Sequence, residues 1–217
     1  MNKNLTKRLG MYLAGLFVMT AGIALSVKSR MGVSPVSSIP YTLTCIWGIE
    51  MGKATILFHC GLVLIQILLL RRNFKPKNLL QVLVGIVFGY FTTFCNWCVS
   101  FLTDPTNIVL RLGMLLLSVV LIAFGIFLYM PPDIMPLAGE GTIQAIADVS
   151  GLAFARVKVL FDSTMVAISL ISCFFFLHSF GSVGAGTIIA AVLVGTVLGE
   201  FTKHLGALRD RWLFETK

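Results

Sequence analysis

Two short stretches hold most of the side chains in this sequence that could do chemistry. In Gly139-Glu140-Gly141-Thr142 a carboxylate stands between two glycines, so neighbouring backbone can approach it closely. A carboxylate in apolar surroundings can take up and release a proton, or pair with a cation. Thr142 and Gln144 add neutral hydrogen-bonding groups beside it. In Gly32-Val33-Ser34-Pro35-Val36-Ser37-Ser38-Ile39-Pro40 the hydroxyls of Ser34, Ser37 and Ser38 are gathered, with Tyr41 next in the chain. Pro35 suits the first turn of a short helix, with Ser34 as its cap. Such a helix would aim free amides and a partial positive charge at an anionic group. Ser34, Ser37, Ser38, Tyr41, Glu140, Thr142 and Gln144 are therefore the expected solute-binding residues.

His59, Asp162 and Asp148 join Glu140 as candidates for proton coupling. An ionisable group inside an apolar span is costly unless it faces protein or water, and histidine changes charge near neutral pH. Structural roles compete at each position. His59 and Asp162 could brace adjacent turns, Glu140 could be a loop carboxylate, Asp148 a solvated helix end, and the serines a satisfied polar turn. Cys95-Asn96-Trp97-Cys98 has metal or redox spacing but no second ligand pair, and reads as helix packing. HExxH, GxxxxGK[ST], the dinucleotide glycine fingerprint and GxSxG do not occur. Neither an enzyme nor a cofactor is expected.

The elements that must position these residues are membrane spans. Hydrophobic residues make up 57 % of the 217 and charged ones 12 %, about half the charged share of an ordinary soluble domain. Six apolar runs each supply roughly the 20 residues a helix needs to cross a bilayer. They fall near 9–27, 53–70, 79–97, 109–129, 157–176 and 184–201. The fold expected is an all-α polytopic bundle. Its formal charge of +8 is spread over alternate loops and is not a nucleic-acid patch. Lys3, Lys7 and Arg8 precede span one, Arg71, Arg72, Lys75 and Lys77 follow span two, Arg156 and Lys158 open span five, and Lys203, Arg209, Arg211 and Lys217 follow span six. That alternation puts both termini in the cytoplasm, although Lys28, Arg30, Lys53 and Arg111 fall on the other side. The first span does not read as a cleaved leader, because Lys28-Ser29-Arg30 is a poor cleavage context.

The order of elements repeats. Arg8-Leu9-Gly10-Met11 recurs as Arg111-Leu112-Gly113-Met114, Gly22-Ile23 as Gly125-Ile126, and Lys53 with Leu57-Phe58-His59 as Arg156 with Leu160-Phe161-Asp162. Two units follow: 1–100 with a break at 32–47, and 101–217 with a break at 131–151 and a polar cytoplasmic tail. Each break is expected to be a re-entrant or broken segment after the unit's first helix. Three crossings per unit invert the second unit relative to the first. Paired interruptions in inverted halves point to the substrate site of a secondary transporter. Gly85/Gly89 and Gly195/Gly199 mark close helix packing, within one chain or across a homodimer.

The early span followed by Gly32-Val33-Ser34-Pro35, with the later Gly139-Glu140-Gly141-Thr142, resembles the YczE/YitT-like bacterial membrane proteins. The resemblance implies a bacterial inner membrane and a span-break-span architecture, and it carries no catalytic residue. The function expected is alternating-access transport of a small polar, anionic solute through the bilayer, coupled to a proton or cation. A solute or ion channel and a membrane scaffold or regulatory partner are the alternatives.

Overall fold

The computed structural model describes residues 3–179 and 181–214; Lys217 of the basic tail lies outside the described residues. Eight α-helices follow in order: α1 (Lys3–Ser29), α2 (Pro35–Trp47), α3 (Met51–Leu70), α4 (Leu80–Ser100), α5 (Ile108–Tyr129), α6 (Ala138–Ser150), α7 (Phe154–Leu177) and α8 (Ala185–Phe214). All but α2 and α6 are long and apolar enough to cross a bilayer. The protein is an all-α multi-pass membrane protein. Large apolar side chains such as Ile171, Phe174, Phe175 and Ile188 stand exposed on the outside of the bundle, as lipid-facing side chains do.

Local chemistry sets the helix ends. Glu50 caps α3 by accepting from the amides of Gly52 (2.8 Å) and Lys53 (3.2 Å), and Asn107 caps α5 through Val109 N at 3.0 Å. Both short helices have 13 residues and stop at a left-handed glycine, Gly48 (φ 66°) and Gly151 (φ 71°). A side chain there would strain the backbone.

The central packing is α1 on α5, antiparallel. A Cβ at Gly15 would lie 2.8 Å from Gly125 O, and one at Gly125 would lie 2.7 Å from Gly15 O. The missing side chains let the two main chains touch. At one end the Arg8 guanidinium donates to Pro132 O and the Tyr12 hydroxyl donates to Met135 O at 2.8 Å. At the other, Lys28 and Arg30 each reach Asp104 at 2.6 Å. Helix α4 lies beside α1 and α8 beside α5, while the short helices cross over, α2 onto α7 and α6 onto α3. Gly85 and Gly89 seat α4 against His59 and Ile56 of α3, whereas a Cβ at Gly195 or Gly199 would meet no described atom within 4 Å.

The segments 32–47 and 131–151 each hold a short helix, with Ser37, Ser38 and Tyr41 inside α2, and Glu140, Thr142 and Gln144 inside α6. The last span does not end near residue 201, since α8 continues to Phe214. Leu213 is buried there, and Arg209 stacks 4.4 Å over the Phe127 ring while donating to Phe127 O at 3.1 Å. Lys7 lies 5.7 Å from the Trp212 ring, so the start of α1 and the end of α8 share one end of the bundle.

Candidate functional site

Helices α2 and α6 begin against each other. A Cβ built on Gly139 would lie 3.7 Å from Val36 Cγ1, and each of these is the second residue of its helix. Pro35 at the start of α2 sacrifices no useful amide, and Gly139 leaves room for the approach. Two helix N-termini, each carrying about half a positive charge, therefore lie close together.

A pair of hydrogen-bond clusters locks these first turns to the long helices. The Ser38 hydroxyl donates to Pro35 O at 2.6 Å, with Met165 O at 3.3 Å, and accepts from Ser169 Oγ at 2.9 Å. The Thr142 hydroxyl donates to Ala138 O at 2.7 Å, with Leu62 O at 3.3 Å, and accepts from Gln66 Nε2 at 3.3 Å. Pro35 and Ala138, Met165 and Leu62, and Ser169 and Gln66 stand at the same sequence offset that separates Arg8 from Arg111. Gln66 Nε2 also donates to Gln81 Oε1 at 2.8 Å, and the glutamine pair fits only because Gly141 has no side chain.

Glu140 sits in the first turn of α6, where the helix dipole favours a carboxylate. The residue is partly exposed, but its Oε2 and the Tyr129 hydroxyl are both shut from solvent without a hydrogen-bond partner. Tyr129 is its neighbour, and Tyr12, Lys158 and Asp162 lie within electrostatic range. A carboxylate among tyrosine hydroxyls, beside two helix N-termini, can hold a proton, a cation or the polar end of a solute.

The other expected site residues divide. The Ser34 hydroxyl is directed to Ser37 Oγ at 3.0 Å, so Ser34 occupies the cap position without a side-chain cap bond. Tyr41 is half-buried against the core formed by Tyr12, Met19 and Tyr129. His59 is buried between α3 and α4, with the Phe58 and Phe88 rings at 5.9 and 5.6 Å and its Nδ1 unpartnered. Asp162 pairs with Lys158, one turn away on α7, at 3.1 Å. Gln144 donates to Asp148 Oδ1 at 2.7 Å, and both line a cavity of about 1010 Å³ at the far end of α6. Thus Ser34, Ser37, Ser38, Glu140 and Thr142 gather at the meeting helix starts, and Gln144 and Asp148 do not join them.

Sequence reasoning missed Gln81, Tyr129 and Ser169, each a lone polar residue in an apolar run. The repeat offset was the available signal for Ser169, because it pairs that residue with Gln66. Cys95 is buried beside Thr20 (3.4 Å) and Cys98 is exposed, with no disulfide. Among the described residues no His, Cys, Asp and Glu side chains are grouped to hold a metal ion.

Residues 6–203 match a family described as a family of unknown function, DUF6198. The chain is also similar to a protein of Bacillus subtilis (strain 168) described as the uncharacterized membrane protein YczE. The two are 25 % identical over 199 residues, which covers 91 % of this chain and 86 % of that protein. The resemblance to YczE-like proteins is thereby shown. No solved structure matches.

Proposed function

The chain belongs to the DUF6198 family, and from the geometry at its centre we propose that it is a secondary transporter for a small polar, anionic solute. The observation that carries this reading is the meeting of the α2 and α6 starts beside Glu140. Interrupted helices whose positive ends converge between two sets of long helices are a recurrent way to bind an anion inside a membrane.

In this reading the chain is an inverted repeat, with α1–α4 matched to α5–α8. Two features support it. The Gly15–Gly125 and Gly22–Ser118 approaches exchange with each other under the repeat offset, and so do the groups that hold Ser38 and Thr142, Met165 and Ser169 for the one and Leu62 and Gln66 for the other, although Thr142 itself stands one residue beyond the match to Ser38. The halves rock about the α1–α5 crossing and open the α2–α6 junction to either side in turn. Ser34 and Ser37 offer neutral hydrogen bonds to the solute, Thr142 holds the start of α6 against α3, and Glu140 takes the coupled proton. The protein sits in a bacterial inner membrane with both termini cytoplasmic, as the basic loops favour.

Reconstitution tests this. Liposomes containing the protein should take up a small anion faster under an imposed pH gradient, and Glu140→Gln should remove the gradient dependence. Unaltered gradient-driven uptake in that variant would overturn the coupling role. Unitary currents across a planar bilayer would replace alternating access with a channel.

A further inference from the structure

A second feature lies away from the α2–α6 junction. The end of α3, the loop to α4 and the C-terminal half of α6 line the open cavity of about 1010 Å³. Along α6, Asp148 is about 12 Å from Glu140 at 1.5 Å per residue, so this space and the proposed solute site are separate.

Its lining is basic and amphipathic. Arg71, Arg72 and Lys75 supply three cations against the one carboxylate of Asp148. Asp148 is engaged by Gln144 Nε2 at 2.7 Å, and no described carboxylate pairs with Arg71, Arg72 or Lys75. Asn73 and Asn78 add neutral amide donors. Arg71 adopts φ 46°, a left-handed conformation that L side chains avoid. This strained turn ends α3 and sets two successive guanidinium-bearing residues on the cavity wall. The remaining wall is apolar, with Leu69 39 % and Val149 59 % exposed.

A cluster of cations beside open apolar surface at the end of a spanning helix matches one ligand chemistry: an anionic phosphate group carrying hydrocarbon. We propose that this cavity binds the phosphate headgroup of an anionic membrane lipid. The arginines grip the phosphate oxygens, the asparagine amides complete the set, and the acyl chains run along Leu69, Leu70 and Val149. A free phosphate would use the same cations but leave the apolar wall unfilled.

The full-length protein in phosphatidylcholine nanodiscs, with and without phosphatidylglycerol, provides the test through its melting midpoint. Phosphatidylglycerol should raise the midpoint by about 2–4 °C. Arg71→Gln/Arg72→Gln should abolish that rise, while Lys203→Gln/Arg211→Gln, an equal loss of charge on α8, should keep it. Asp148→Asn removes the one repelling carboxylate and should enlarge the rise. Should the arginine variant fail to fold, the Asp148→Asn result decides, and an unchanged rise there overturns the site. A rise that survives the arginine changes, or that the α8 variant also loses, overturns it as well. An equal rise from inorganic phosphate in phosphatidylcholine alone overturns the lipid as its source.

Discussion

A single methyl group at Gly15 tests the packing on which the bundle depends. Its Cβ would lie 2.5 Å from Tyr129 N and 2.8 Å from both Gly125 O and Tyr129 Cβ. Ordinary contact is about 3.5–4.0 Å, so α1 and α5 must part by about 1 Å, and main-chain atoms cannot rotate out of the way. Overpacking of this kind costs about 1–3 kcal/mol, and the upper end applies to a clash with backbone. Replacing glycine by alanine inside a helix returns about 1 kcal/mol. Gly15→Ala should therefore destabilise by about 1–2 kcal/mol, a factor of about 5–30 in the folded to unfolded ratio. Gly10 is the internal control, because a Cβ there meets nothing within 4 Å. Gly10→Ala should be neutral or stabilising by up to about 1 kcal/mol. Denaturant titration in bicelles, read by tryptophan fluorescence, compares the midpoints. Gly125→Ala clashes at the same crossing, 2.6 Å from Met19 N, so the double variant should lose less than the two single losses added together. If Gly15→Ala is as stable as Gly10→Ala, the close α1–α5 crossing is refuted.

Two further outcomes follow from other parts of the molecule. Gln66→Leu strands Gln81 Oε1 in a buried site and should cost about 1–3 kcal/mol. Gln66→Leu/Gln81→Leu removes both partners and should cost less than the single change; a larger loss in the same titration would refute the pairing. Asp104 is held below the usual carboxylate range by its hydrogen bond to Lys28, with the Arg30 charge adding to it. A folded value below the unfolded one means its contribution is present above about pH 4 and lost as pH falls through the folded value. Melting midpoints should therefore drop on acidification less steeply in Asp104→Asn than in the wild type, with the difference shrinking in high salt. Equal slopes would remove this ion pair from the account of stability.

How much could be read in advance follows from what each signal depends on. Span number and approximate position were legible because a bilayer demands a minimum apolar length, and each of the six runs meets it locally. The short helices were also legible. Pro35 starts one, and Gly48 and Gly151 close both, through conformational preferences that need no distant partner. The packing of their first turns was not legible, because the partners of Thr142, Leu62 and Gln66 of α3, lie far away in the chain.

The sequence by itself determined the class of molecule, its crossings and its pair of interruptions, since these follow from local composition and backbone chemistry. Tertiary structure alone decided that Val36 meets Gly139, that His59 faces phenylalanine rings and Gly85, and that Gln144 and Asp148 belong to a basic cavity instead of to Glu140. The physical reason is the solvent. A leucine in lipid gains little by turning towards another helix, so apolar spans carry little record of which faces touch. That choice rests on a few glycines and buried polar groups, such as Gly15 with Gly125 and Ser38 with Ser169, whose partners lie more than a hundred residues away in the chain.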